Sequence, residues 1–490
     1  MFISQFIKKY QTQCAIALAM LFACVVSISF FMGKSLRLDE AQSLFQTNGT
    51  FLGTIRIIAG DIHLPVYFIS LQVWQSLFGD SLLAIRSLSL VFLLCSLPFI
   101  YLLGKETYGK KVGMITVMLC ALSPFLQWFG AETRMYTVLF LITILNQLFF
   151  VRLWNNSEKR SWFLYALTVI IGVYTHFFFA LLLIAQALFF LMNRDLFPEG
   201  SFKKFIFTAS GALTTLGLWF VVRHIVGSTN SAPNLTAPTS IDIFNLFSNF
   251  MIGFQSDTVN TFFLALWPIV VLFGFTFLTK KHTVLPQTKY FLITFFVPAT
   301  LAFVVSITFK PLFLSRYLII ILPSLYLLVV HFLNFYPAKV FRYLITAIVI
   351  LLLYMLSLEA FSPEVPTHEN FRGAAEYVAE HAKANDAFIV SAPFITYPVE
   401  YYYKGDTQLM TFPIWKRFED IKKVPDFSEQ YMIDTFTAWS KDYARFYVLL
   451  GYDQGYEKNI QEYLDNTYER IEVKNFSPHL NLYVYKVKNI

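Results

Sequence analysis

Residues Lys34–Phe45 read K-S-L-R-L-D-E-A-Q-S-L-F, and Asp61–Tyr67 read D-I-H-L-P-V-Y. The first stretch leaves an apolar run at 13–33 and carries two adjacent carboxylates, Asp39 and Glu40, about six residues beyond it. A mainly apolar run of roughly 17–25 residues is long enough to cross a bilayer. An acid pair at the lip of such a run, with Asp61, His63 and Pro65 about twenty residues later, marks a polar loop at a membrane surface. The rest of the chain reads as a scaffold for that loop.

Composition agrees. The 490 residues are 56% hydrophobic and 14% charged, with a mean hydropathy of +0.56. Soluble domains carry about 25% charged residues. The 55 Phe and 27 Tyr suit lipid-facing helices and interfacial belts. Cys14, Cys24, Cys95 and Cys120 all fall in apolar runs, so neither disulfides nor a metal cluster are expected, and cysteine usage says little about redox compartment. The net charge of +7 is unevenly spread: residues 1–359 hold 24 Lys+Arg against 12 Asp+Glu, and residues 360–490 hold 14 against 19. A basic membrane part with an acidic tail argues against nucleic acid as a partner.

Eleven runs have the length and apolar character of spans: 13–33, 82–103, 112–128, 136–153, 161–175, 177–193, 205–226, 261–279, 290–309, 316–334 and 341–358. The fifth and sixth nearly abut at Tyr174-Thr175-His176. The first follows Lys8-Lys9 and has no small-residue cleavage site after it, which reads as an uncleaved signal anchor. Cytoplasmic segments carry the excess of Lys and Arg. A cytoplasmic N-terminus puts 16 of the 24 basic residues inside with four acids. The odd span count then puts 34–80 and 360–490 on the same outer face. The expected division is a membrane domain over 1–359, with its first external loop at 34–80, and an external domain over 360–490.

In 64–79, Val66, Ile69, Val73 and Leu77 recur at helical spacing. This fits a helix lying in the interface plane, or one packed on other spans. The second long external stretch, 227–260, begins Ser/Thr/Asn/Pro-rich and ends as a short amphipathic helix, the pattern of a lid. In 360–490 helical and β-rich segments alternate: F-R-G-A-A-E-Y-V-A-E-H-A-K-A, A-F-I-V-S-A-P, T-Y-P-V-E-Y-Y-Y-K-G, Q-L-M-T-F-P, A-R-F-Y-V-L-L-G-Y-D, N-I-Q-E-Y-L-D-N-T-Y-E-R-I-E and L-Y-V-Y-K-V-K, with turns at Asp386 and Gly405. That favours a small α/β layer fold. It shows no Gly-rich phosphate loop, Cys/His metal spacing or Gly-x-Ser-x-Gly.

Ionisable residues beside spans cost about 2.5–3.5 kcal/mol at a helix centre on insertion scales and so mark candidate sites. Asp39-Glu40 can supply a general base for a hydroxyl nucleophile; equally, Asp39 can cap the helix that E-A-Q-S-L-F begins. The block S-P-F-L-Q-W-F-G-A-E-T-R-M-Y, Ser123–Tyr136, brings Glu132 and Arg134 to the external end of a span, either as a local ion pair or with Arg134 gripping a phosphate. K-P-L-F-L-S-R-Y, Lys310–Tyr317, is a similar external pair of cations beside an aromatic, suited to a lipid phosphate or to interfacial snorkelling. His176, in a tight turn, is an interfacial histidine or a ligand.

Together these segments resemble the bacterial membrane glycosyltransferases of the GT-C fold, related to dolichyl-phosphate-mannose protein mannosyltransferases and to the aminoarabinose transferase of lipid A. The likeness rests on Arg37-Leu38-Asp39-Glu40, His63–Tyr67, R-S-L-S-L at Arg86, Y-L-L-G-K-E-T-Y-G-K-K-V-G from Tyr101, L-S-P-F from Leu122, A-E-T-R-M-Y from Ala131, Arg316-Tyr317 with Pro323, and F-R-G-A-A-E-Y-V from Phe371. One departure is His63-Leu64-Pro65 where many relatives carry His-Pro-Pro. The resemblance implies a multi-pass plasma-membrane enzyme that moves a sugar, with inversion, from a polyprenyl-phosphate donor to a lipid, glycan or protein acceptor at the outer face. Asp39 matches the catalytic aspartate, a general base, with Glu40 in support. Arg134, Lys310 and Arg316 would neutralise the departing phosphate. Asp61 and His63 would line the donor or acceptor site, and Tyr67, Arg86, Glu132, Tyr136, His176 and Tyr317 complete the expected substrate contacts. The resemblance admits a divalent metal beside Asp61 and His63 and requires no cofactor. Two rivals remain at this stage: an O-antigen-type ligase or polymerase, and a lipid transporter or non-catalytic assembly protein.

Overall fold

The computed structural model describes residues 10–155, 158–226, 236–265, 284–361, 369–415 and 426–487. They divide into two compact units: one holds residues 10–32 and 51–361, the other residues 33–50 with those from 369 onward. The stretch 34–80 is therefore split. Its opening half, with Asp39 and Glu40, belongs to the same unit as the C-terminal segment; its second half, with Asp61 and His63, belongs to the helical unit.

The helical unit begins with α1, Gln11–Gly33; the other unit supplies α2, Leu38–Thr47. The helical unit continues with α3, Phe51–Gly60; α4, Pro65–Phe78; α5, Leu82–Tyr108; α6, Lys110–Leu122; α7, Pro124–Gly130; α8, Tyr136–Asn155; α9, Lys159–Thr175; α10, Phe179–Met192; and α11, Ser201–Val226. Then come α12, Ser240–Ile252; α13, Asp257–Ala265; α14, Pro286–Thr308; a 3₁₀ turn, Tyr317–Ile321, leading into α15, Leu322–Leu333; and α16, Ala338–Phe361. Six of these helices are long and apolar enough to span a membrane, or seven if the bent pair α6–α7 counts as one. Large apolar side chains face outward on them, among them Leu18, Phe207 and Ile225. The protein is a multi-pass membrane protein.

Among the described residues this measure does not confirm the expected eleven spans. The runs at 161–175 and 177–193 fold as helices of 17 and 14 residues. The run at 316–334 begins as 3₁₀, and most of 261–279 lies outside the described residues, as does 227–235, the first half of the expected lid. Apolar composition reports burial in lipid or protein, not helix length. The run at 112–128 bends by 61° because Ser123 stops one helix and caps the next: its hydroxyl accepts the Leu126 N–H at 3.2 Å, and Pro124 opens the first turn.

Two kinds of contact hold the helices. At Gly104 a Cβ would come within 2.7 Å of the Gly113 Cα, so α5 and α6 cross backbone to backbone. Elsewhere buried amides and hydroxyls link helices: Gln186 accepts from the Tyr165 hydroxyl at 2.9 Å and donates to Asn146 at 2.8 Å and Tyr290 at 2.9 Å, while Gln147 donates to Ser324 at 2.9 Å. Each satisfies a polar group that lipid would leave without a partner. On α4, Tyr67, Phe68 and Leu71 are buried and Val73 and Leu77 are exposed. The helix thus has two apolar faces, one packed and one outward, which accommodates both sequence readings.

In the second unit α17, Phe371–His381, is followed by β1, Ala387–Ser391; α18, Thr396–Tyr402; β2, Gln408–Thr411; α19, Glu429–Trp439; β3, Arg445–Gly451; α20, Glu457–Thr467; β4, Glu469–Ser477; and β5, Leu480–Lys486. The sheet order is β2-β1-β3-β5-β4. β1 runs parallel to β2 and β3, and β5 antiparallel to β3 and β4. Alternate residues of β1 and β3 feed two cores: Ile389, Phe446 and Val448 on one face, and Phe388, Val390 and Tyr447 on the other. This is the α/β layer fold expected of the tail. T-Y-P-V-E-Y-Y-Y, rich in strand formers, folds as a helix because Ile395 and Val399, one turn apart, are buried together against the sheet.

Candidate active site

In the helical unit the site grows from the turn after α3. Asp61 turns the chain by accepting the Ile62 N–H at 2.6 Å, and Pro65 starts α4. The other carboxylate oxygen of Asp61 lies 2.8 Å from His63 Nδ1, and Arg134 Nη2 lies 2.8 Å from His63 Nε2. A guanidinium has no lone pair to offer, so it must donate, and Nε2 must accept. The Nδ1 proton then goes to Asp61. The chain Asp61···H–Nδ1, Nε2···H–Nη2 fixes a neutral His63 in one tautomer. Arg223, near the end of α11, donates to the Asp61 carbonyl oxygen.

Electrostatics follow this geometry. Burial pushes the Asp61 carboxyl up, but the hydrogen bonds from His63 and Ile62 and the Arg134 charge together outweigh it and hold it well below the usual carboxylate range. His176, in the turn between α9 and α10, goes the other way to most partnered histidines. Burial lowers its pKa, and the positive charges of Arg134 and Arg316 lower it further. Its ring lies 5.0 Å from that of Tyr317, and the Arg316 guanidinium sits 5.5 Å from the Tyr317 ring centroid.

The structure thus brings together Asp61, His63, Arg134, His176, Arg316 and Tyr317 from four separate parts of the sequence. Tyr67 joins from behind: its hydroxyl meets Ser89 at 3.2 Å, and Ser89 donates to the Arg134 carbonyl at 3.3 Å. Arg86 is buried on the same helix, three residues before Ser89, and Glu132 and Tyr136 are buried in the turn around Arg134. Tyr136 packs edge-on against Phe129, 4.7 Å away. Lys310 is exposed at the end of α14 and enters none of these contacts. Ser89 was not expected at the site, whereas Arg223 is one of the basic residues that the sequence places at or near the external side. A cation inside the long apolar run 205–226 was the available signal for Arg223.

The arrangement does not fit a divalent cation. Both His63 ring nitrogens are already engaged, one by a guanidinium that would repel a second cation. Among the described residues no group of three or more His, Cys, Asp or Glu side chains converges as metal ligands.

In the second unit Asp39 lies one residue into α2, so the cap is not Asp39. Arg37 is the cap residue, and its N–H donates to Glu40 Oε2 at 3.0 Å. The next donor, Leu38 N–H, is taken at 3.1 Å by Glu369. Glu369 also receives the Arg37 guanidinium, Nη2 at 3.0 Å and Nε at 3.1 Å, and the Tyr452 hydroxyl at 2.5 Å. Burial first, and then the Glu369 and Asp39 charges, raise the Tyr452 pKa, so the phenol stays a donor. The Tyr402 hydroxyl oxygen accepts the Leu36 N–H at 2.7 Å. Glu40 is buried and Asp39 half-buried. Glu369 gave no signal in sequence, being one acid among many in an acidic tail.

Solved structures share this fold at low identity. ArnT from Cupriavidus metallidurans in the apo state matches with a TM-score of 0.59 at 12% identity, covering 96% of this chain and 98% of that one. The same protein bound to undecaprenyl phosphate gives 0.58 at 12%, covering 96% and 97%. The Archaeoglobus fulgidus oligosaccharyltransferase tethered with an acceptor peptide gives 0.50 at 11%, covering 99% of this chain and 75% of that one. No curated protein matches the sequence. The family model described as dolichyl-phosphate-mannose-protein mannosyltransferase matches residues 63–209, a segment that starts at His63 and contains Arg134 and His176. The chain therefore has the GT-C fold, and its residues 63–209 resemble the dolichyl-phosphate-mannose-protein mannosyltransferase family.

Proposed function

We propose that the protein transfers a sugar, with inversion, from a polyprenyl-phosphate donor to an acceptor at the outer face of the membrane. The observation that carries this reading is the buried Asp61–His63–Arg134 chain, which aims a fixed guanidinium into a region already positive from Arg316. Such a region suits a phosphate, and a lipid carrier is the phosphate source that fits a site built from helix ends. The neighbour that holds undecaprenyl phosphate supports this choice of ligand.

In the proposed step Asp39 takes the proton of the acceptor hydroxyl. That oxygen bonds to the anomeric carbon, the carbon–phosphate oxygen bond breaks, and polyprenyl phosphate leaves with the electron pair. The phosphate passes from a diester with one negative charge to a monoester carrying about −1.5 to −2. Cations placed beforehand gain more from the product-like charge than from the ground state, and so lower the barrier. Arg134 and Arg316 supply that stabilisation, with Lys310 as a further cation; Glu40 orients the base, and Asp61, His63, Tyr67, Arg86, Glu132, Tyr136, His176 and Tyr317 shape the substrate contacts. No cofactor is part of this scheme. The N-terminus is cytoplasmic and the unit containing the sheet extracytoplasmic.

The test is mass spectrometry of envelope glycans, glycolipids and glycoproteins from cells with and without the protein. A sugar modification that depends on the protein and disappears with Asp39→Asn is expected. An unchanged envelope would end the proposal.

A further inference from the structure

Glu369 is a single carboxylate that accepts from three donors on two segments far apart in sequence: the Arg37 guanidinium, the Leu38 N–H and the Tyr452 hydroxyl. The side chain of Arg37 has no acceptor, so it cannot cap the helix it precedes. A helix N-terminus needs acceptors for its first N–H groups. Here Glu40 supplies one from within the helix and Glu369 supplies another from outside it. Two further bonds tie the stretch before α2 to the C-terminal segment: Leu36 N–H to the Tyr402 hydroxyl at 2.7 Å and Arg372 N–H to Ser35 Oγ at 3.0 Å.

We propose that Glu369 is the positioning residue of the Asp39 helix: it caps α2 from across the unit and fixes the backbone from which Asp39 projects. The C-terminal segment then acts in the reaction by holding the base, and is more than a stabilising attachment. The inference rests on reading Asp39 as the general base. Glu369 touches no reacting atom and works only through Arg37 and Leu38. Loss of a charge-assisted hydrogen bond is worth about a tenfold change in an equilibrium, and here three are lost together.

Two readouts on the full-length protein test it. Hydrogen exchange of the purified chain reads the amides of 36–47, and envelope mass spectrometry in cells reads sugar transfer. Glu369→Ala should speed exchange over 36–47 by about tenfold or more and cut transfer by about as much or more, with thermal unfolding showing that the chain still folds. Glu369→Gln keeps one acceptor and should restore part of both; Tyr452→Phe removes one donor and should produce a milder change. Exchange over 36–47 that is unchanged in Glu369→Ala overturns the proposal, as does loosened exchange with full transfer. Asp39→Asn separates this from the wider reading. It should lower transfer by about 10²–10⁴-fold with exchange unaltered; if it transfers normally, the assignment of the base fails, while the exchange result for Glu369→Ala still decides whether Glu369 holds the helix.

Discussion

Arg134 donates to His63 Nε2 across 2.8 Å, and this bond decides the chemistry of the whole turn. It forbids a proton on Nε2, sends the Nδ1 proton to Asp61, and occupies both ring nitrogens. A histidine expected to line the donor or acceptor site becomes a neutral spacer between a carboxylate and a guanidinium.

His63→Ala should release Arg134 without removing its charge. Binding of undecaprenyl phosphate to the purified protein is expected to weaken about tenfold, the worth of one charge-assisted bond. Arg134→Lys keeps the charge but loses the fork, and should weaken binding at least as much. Titration with undecaprenyl phosphate checks both; full affinity in either variant contradicts the assignment of this cluster to the phosphate.

Asp39→Asn should lower transfer by about 10²–10⁴-fold, the usual share of a general base. Binding of undecaprenyl phosphate should stay within about twofold of the parent, because the amide alters neither Arg134 nor Arg316. Envelope mass spectrometry and lipid titration read the two quantities separately.

The folded protein lowers the pKa of His176, so its unfolded state binds the proton more readily. The sign follows from linkage: stability is complete above the unfolded value of about 6.5 and falls as pH drops from there towards the lower folded value. Asp61, also held low, adds a loss that begins only below about 4, as pH falls from the unfolded carboxylate value towards the folded one. Thermal unfolding between about pH 7 and pH 5 should therefore show a falling midpoint that His176→Gln flattens and Asp61→Asn does not.

Gly104→Ala should destabilise the bundle by about 1–3 kcal/mol, since its methyl would meet the Gly113 backbone at 2.7 Å rather than a side chain able to turn away. Thermal unfolding in detergent measures it. A neutral result would mean that α5 and α6 can separate at no cost.

Much of the fold was legible in the chain itself. Apolar runs and the distribution of Lys and Arg announce a multi-pass protein, and alternating segments after residue 360 announce an α/β layer. Span count was not legible, because lipid and protein interiors demand the same apolar side chains while only chain geometry sets helix length. The short helices at Lys159–Thr175 and Phe179–Met192 show this. T-Y-P-V-E-Y-Y-Y shows the same limit on a smaller scale, where burial of Val399 overrode strand propensity.

The sequence by itself marked the candidates near the membrane: Asp39, Asp61, His63, Arg134, His176 and Arg316 are costly where they stand, and cost is written in composition and position. Only the tertiary structure decided their partners. Hydrogen bonds reach about 3 Å and ignore distance along the chain. So Arg134 finds His63, Arg223 finds Asp61, and Glu369 finds Leu38 across 331 residues of sequence.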